Sequence, residues 1–265
     1  MEKETYLAAI QTNAALLAEG ARLGLDAPVV GCPGWLVADV VGHIGFVHRT
    51  WAYYVRNRLQ ESVSDVPDED LGALPGLDTW LERPSDARGS LLGLPEGVIA
   101  WGSQGARELE DALRGAAPDE PVWSWSDNHH VSHHLRMQAI ETLVHRWDVQ
   151  SAHGRTSPID PELARDGIDQ HFEVMLPARR GWTEPRAGSG ETYHVHRTDG
   201  DGEWFVRFEP NGVEIRREHR KADVAIRGSA EDLFLYLWGR IPAERLDVVG
   251  DASLLERYRE LVPPA

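Results

Sequence analysis

Glu141 and His145 stand four residues apart in the segment LRMQAIETLVHRWDVQSAHG. On an α-helix that spacing stacks a carboxylate and an imidazole one above the other, which is half of a metal site. Counted at roughly 100° per residue from Met137, the positions Ile140, Val144 and Trp147 make an apolar stripe. Glu141, His145, His134 and Asp148 gather on the other side of Met137, beside that stripe and not opposite it. Polar groups so placed are partly buried. A half-buried carboxylate and imidazole need a hydrogen bond, a counter-charge or a cation, because desolvation otherwise costs several kcal/mol. A hydrogen bond within the helix is the simplest answer, and such pairs stabilise helices by only a few tenths of a kcal/mol.

A third donor changes the reading. In GWLVADVVGHIGFVHRTWAYYVRNRL the residues Val37, Val40, Val41, Ile44, Trp51 and Val55 trace one helical face. His43 falls on its flank, beside Val40 and Val47, where a side chain can look into a bundle. His48 lies nearer the centre of the stripe, where a core histidine bonded to a carbonyl is the simpler role. His43 is therefore the preferred third ligand. Two histidines and one glutamate give zinc three protein ligands and leave the fourth position open, the pattern of catalytic zinc.

The elements that must carry these residues are helical. Residues 4–24 and 36–60 read as the first two helices, 98–116 as the third and 131–154 as the fourth, surrounding one polar wedge as in bundles that bind metal between facing helices. Trp101, Gln104 and Arg107 on the third helix are the candidates to line a pocket. Between the second and third helices a polar stretch rich in Asp, Pro and Gly runs from Glu61 to Pro95. It is too long for an ordinary connection and reads as a lid or mobile loop over the metal. A fifth helix, 160–180, opens with a proline in its first turn and leads out of the bundle. From Ser189 the period changes to that of strands, in ETYHVHRT, GEWFVRFE, GVEIRRE and ADVAIRG, with turns at residues 199–202 and 210–212. Two helices, at 229–239 and 253–262, follow this antiparallel sheet and give an α+β unit.

Four separated segments, 31–49, 122–126, 140–154 and 201–240, together resemble the mycothiol-dependent maleylpyruvate isomerase family, in the family's order. The resemblance implies a DinB-like four-helix bundle over 1–180 that holds a divalent metal, zinc above all. A small α+β domain, similar to sterol-carrier folds, is implied over 185–265. It assigns the metal ligands to His43, eight residues after Trp35, and to Glu141 and His145. It also assigns catalysis to the arginine of a Gly-Arg pair, here Gly239-Arg240, whose guanidinium matches a substrate carboxylate in a bidentate fork and can hold enolate charge. Leu36 stands where the family commonly has a helix-capping Ser or Thr, and Ile140 where it often has a histidine before the glutamate. Neither position is a ligand.

Zinc with a vacant position favours thiolate sulfur and lowers a thiol's pKa. The family resemblance implies that this thiol is mycothiol, used as cosubstrate by an isomerase or thiol S-transferase that acts on a small, carboxylate-bearing electrophile. Two alternatives use the same residues. A zinc hydrolase would need a carboxylate base, for which Asp148 and Asp127 are candidates. A metal- or lipid-binding module would have no turnover.

Composition sets outer limits. The net charge of −16, from 27 basic and 43 acidic residues, repels a phosphate backbone and argues against nucleic acid. With no signal-like apolar run at the start and no stretch of about 20 apolar residues, a cytoplasmic protein without membrane contact is expected, as a monomer or homodimer. The single cysteine, Cys32, excludes an internal disulfide and a cysteine-based zinc site, and it has no base adjacent in sequence.

Overall fold

The computed structural model describes residues 1–84 and 89–263. Within them the chain divides into two compact units, Met1–Ser157 and Pro158–Ala265. In the first unit α1 (Lys3–Ala21), α2 (Val37–Asn57), α5 (Val98–Gly115) and α6 (Val131–Ala152) form the bundle, with short helices α3 (Asp68–Leu71) and α4 (Leu77–Leu81) in the connection after α2. Helices α1 and α2 each pack against both α5 and α6, so they stand diagonally across from one another. The α2–α5 contact is close because residue 45 is glycine: a Cβ there would come within 2.3 Å of the Trp101 ring. Helix α2 opens without a capping side chain from Leu36; instead the Asp39 carboxylate accepts the Leu36 backbone N–H at 2.9 Å.

Two apolar clusters fill the bundle. One gathers Tyr6, Leu7, Ile10, Ala52, Leu109 and Leu135, the other Leu17, Val37, Val40, Ile44, Trp101 and Val149. Each fully buried aliphatic or aromatic side chain contributes about 1.5–3 kcal/mol by leaving water. Between the stretches that serve these clusters lie His48 and Arg49 on α2 and Glu141, His145 and Asp148 on α6. Helix α6 is not the one-sided amphipathic helix its apolar stripe suggests. Leu143, Arg146 and Thr142 are buried as well as Ile140 and Val144, because α1 and α2 cover it from two sides.

The second unit begins earlier than the expected break near residues 180–185. Asp160 caps α7 (Pro161–Gln170) by accepting the Glu162 and Leu163 backbone N–H groups at 3.0 and 2.9 Å. The chain continues through a π-helical turn, His171–Met175, into α8 (Leu176–Trp182). These helices belong with the sheet because the indole of Trp204 donates to Asp169 at 2.7 Å and His171 pairs with the Tyr258 hydroxyl at 2.8 Å, both inside the core. The strands are β1 (Thr192–Arg197), β2 (Glu203–Glu209), β3 (Gly212–Arg216), β4 (Val224–Gly228) and β5 (Asp247–Gly250), in the order β3-β2-β1-β4-β5. The expected α+β class holds, with one refinement: β4 lies parallel to β1, because the chain crosses from the β3 edge to the far side of β1. Helices α9 (Ala230–Leu237) and α10 (Leu254–Leu261) complete the unit. No helix among the described residues is long and apolar enough to cross a membrane.

Candidate metal centre

The spacing of three, four and three residues aligns Gln138, Glu141, His145 and Asp148 along one side of α6. His43 arrives from α2, its Nε2 3.4 Å from Oε1 of Glu141 and its ring 5.1 Å from that of His145. One ligand atom from each of His43, Glu141 and His145 lies within 4.8 Å of the others. Trp35, just before α2, sets its ring edge-on against His43 at 5.3 Å.

The two α6 donors are held from behind. His145 Nδ1 pairs with Asp148 Oδ2 at 3.0 Å, and Asp148 is fully buried. A carboxylate on Nδ1 orients the ring and makes Nε2 the ligand nitrogen, as in many histidine-bound metals. Gln138 donates to the second oxygen of Glu141 at 3.1 Å. Burial by itself pushes the Glu141 carboxyl up, but the His43 hydrogen bond and the nearby His43, His145 and His48 rings outweigh it and hold the group below the usual range. Glu141 is therefore an anion at neutral pH, as a ligand needs to be.

His48 is in the core. It is buried, pairs through Nε2 with the Thr142 hydroxyl at 2.9 Å, and burial pushes its pKa down to about 4. His134, placed by the helical wheel in the same wedge, instead pairs with the Trp123 carbonyl at 3.0 Å. Cys32 corrects an expectation. The fold brings its Sγ to 3.6 Å from Asp148 Oδ2, so it lies beside a buried carboxylate and forms a second possible grouping with His145 and Asp148. Only the turn that precedes α2 makes that proximity, and no local spacing signals it.

His43 lies in the wall of a cavity of about 950 Å³, together with Trp35, Asp39, Phe46 and Trp101. Of the helix-three candidates only Trp101 lines it. Gln104 and Arg107 sit on the exposed side of α5, where Arg107 Nε donates to Gln104 at 3.0 Å. The stretch expected to be a lid supplies the opposite wall. Trp101 Nε1 donates to the Gly72 carbonyl at 2.7 Å, Arg83 pairs with Asp39, and the Arg83 guanidinium stacks 3.5 Å over the Trp80 ring. Residues 85–88 of that stretch lie outside the described residues.

In the second unit Arg240 lies three residues beyond the end of α9. Gly239 takes a left-handed φ of 74°, and the Arg240 N–H returns to the Leu235 carbonyl at 2.7 Å, a helix-ending motif that fixes the backbone there. Nη1 of Arg240 donates to the Trp238 carbonyl at 2.7 Å.

Comparison with known proteins adds the following. Residues 6–150 match the mycothiol maleylpyruvate isomerase N-terminal domain, and residues 162–257 match the C-terminal domain of the same family. Among solved structures, the crystal structure of the mycothiol-dependent maleylpyruvate isomerase is similar at a TM-score of 0.60 and 13% identity, covering 95% of each chain. A histidine-to-alanine mutant of that isomerase gives the same TM-score, identity and coverage. At this identity the likeness is one of fold. No curated protein matches the sequence.

Proposed function

The chain belongs to the mycothiol maleylpyruvate isomerase family, and from that premise we propose a metal-dependent enzyme that uses mycothiol against a small carboxylate-bearing electrophile, as an isomerase or a thiol S-transferase. The observation that carries the reading is the convergence of His43, Glu141 and His145, with His43 in the wall of a large cavity and Asp148 behind the His145 ring. The donor set fits a divalent ion of the zinc class: two imidazoles and an ionised carboxylate, with two of the three residues hydrogen-bonded from behind. An ion bound there supplies Lewis-acid character at a position left for a thiol sulfur and lowers that thiol's pKa.

The chain's own residues supply the rest. Asp148 keeps the His145 ring in one orientation, Gln138 does the same for Glu141, and Trp35 and Trp101 give the cavity apolar walls that limit water near a reactive sulfur. The sulfur adds to an activated carbon–carbon double bond, whose electrons move toward the substrate's carbonyl. Rotation about the resulting single bond and expulsion of the sulfur restore the double bond in the other geometry; protonation of the adduct instead completes a thiol transfer. Arg240 is the proposed carboxylate anchor, resting on the Gly239-Arg240 pair and on the fork geometry of guanidinium.

The hydrolase alternative loses its base. Asp148 is committed to His145 and Cys32, and Asp127 is exposed in the turn before α6. Metal analysis of protein purified without added metal, followed by turnover of maleylpyruvate and a panel of electrophiles with and without mycothiol, tests the proposal. Thiol-dependent turnover by metal-loaded protein is the expected result. Turnover that proceeds equally well without thiol overturns it.

A further inference from the structure

The second unit carries a group of donors that the family site does not use. On β1, His194 and His196 alternate with the buried Tyr193 and Val195, so both histidines project from the same side of the sheet. Glu203 opens β2 directly opposite His196 in the antiparallel register. The connection from β3 to β4 folds back over this side, with the Arg220 guanidinium 4.6 Å above the Phe205 ring, and sets His219 against His194 with ring centroids 4.8 Å apart.

All three rings meet on one carboxylate. His194 Nε2 pairs with Glu203, His196 Nδ1 lies 2.6 Å from Glu203 Oε1, and His219 Nδ1 lies 3.2 Å from the same oxygen. One ligand atom from each of the four residues falls within 4.8 Å of the others. Two chain segments, β1 and the β3–β4 connection, deliver three imidazoles to this one carboxylate. Burial pushes the Glu203 carboxyl up, but the bonds from His194, His196 and His219 together hold it below its usual range, so it is ionised. The nearby cations are matched by carboxylates: Arg216 by Glu214, Arg217 by Asp169 and Glu173, Arg220 by Glu218. No unmatched positive charge among them opposes a cation.

We propose that His194, His196, Glu203 and His219 form a divalent-metal site of the zinc class, which ties the β3–β4 connection to the sheet. Three imidazole nitrogens and one carboxylate oxygen fill a tetrahedral shell, with ligand atoms roughly 3.3 Å apart when metal–ligand bonds are about 2.0–2.1 Å. His194 is the buried back of the site and His219 its solvent side. With four protein ligands the shell is closed, so the role is structural.

The site does not depend on the proposed active centre, and its test keeps the two apart. Full-length, tag-free chain carrying Glu141→Ala and His145→Ala is stripped with chelator and dialysed against low micromolar free zinc. One zinc per chain is expected, together with slowed backbone hydrogen exchange in residues 217–223. Adding His196→Ala and His219→Ala, at positions partly or fully exposed, should abolish both effects with the circular dichroism unchanged. His219→Ala alone, the mildest change, should weaken zinc binding at least about tenfold, on the scale that losing one ligand of four removes. The proposal is overturned if the starting variant takes up no zinc, or if its zinc persists after His196 and His219 are removed.

Discussion

The donor cluster of the helical bundle and that of the sheet are built from the same side chains on two different repeats. On α6 a rise of three and four residues lines up Gln138, Glu141, His145 and Asp148; on β1 a step of two lines up His194 and His196. The helical cluster has three donors, a fully buried carboxylate behind one of them, and a cavity of about 950 Å³ in front of His43. The sheet cluster has four donors, and its own Glu203 is the point where the three rings meet. A three-donor shell with support from behind reserves a position for a reactant, whereas a four-donor shell completes itself and only holds the chain. The number of donors and what stands behind them, more than their identity, separates a centre suited to chemistry from one suited to structure.

The largest expected effect falls on the helical cluster. Glu141→Ala or His145→Ala should remove bound metal and lower turnover by on the order of 10³-fold or more, since Lewis-acid stabilisation is worth several kcal/mol. His196→Ala with His219→Ala should leave turnover unchanged. Kinetics and metal content of the two sets of variants break the comparison if they respond alike. Next in size, Arg240→Ala should reduce kcat/KM by roughly 30- to 1000-fold, about 2–4 kcal/mol of charge-assisted contact, while metal content stays constant. Arg240→Lys should recover part of that, because an ammonium cannot reproduce the fork. Wild-type kinetics in the alanine variant would reduce Arg240 to the residue that ends α9.

These clusters were unequally legible from the residues. Glu141 and His145 share one helix, and the period of a helix is local, so their spacing alone places them together. His43 follows the same rule on α2. What lay outside that rule was missed or misread. Cys32 reaches Asp148 only through a turn before α2. Asp148 invites a reading as a base until its pairing with His145 Nδ1 is seen, although the three-residue separation carries that signal. In the sheet, the His-x-His alternation of YHVHR is plain in the sequence, but Glu203 joins it through strand register and His219 through a long connection, neither of which a single strand encodes. The break between units was misplaced for a related reason. Helix α7 is amphipathic in either unit, and only the Trp204–Asp169 bond shows which core it serves.

Asp148→Asn sharpens the difference between a supported ligand and an unsupported one. The amide keeps the shape but loses the charge that aligns and enriches His145, and losing such a partner typically weakens metal binding about 10- to 100-fold. No equivalent buried carboxylate stands behind the rings of the sheet cluster in the hydrogen bonds described, so its zinc affinity should be untouched by this change. Competition with a zinc chelator on the two separately disabled variants reads each affinity. An equal loss at both clusters would mean that Asp148 acts through general destabilisation.

The smallest effect separates the packed histidine from the ligating ones. Thr142→Val is close in volume and removes the hydroxyl that pairs with His48 Nε2 at 2.9 Å. His48 is buried and its pKa is pushed down to about 4, so at neutral pH it is an uncharged ring that loses a hydrogen bond and finds no water to replace it. Leaving one buried polar group unmet costs about 1–3 kcal/mol, so the denaturant midpoint should fall by a corresponding amount. Metal content and turnover should hold, because the hydroxyl's partners are His48 and the Gln138 backbone carbonyl and not a donor of the triad. A loss of metal without a loss of stability would place His48 among the ligands in place of His43. It would also move the centre from the cavity wall into the layer between the two apolar clusters.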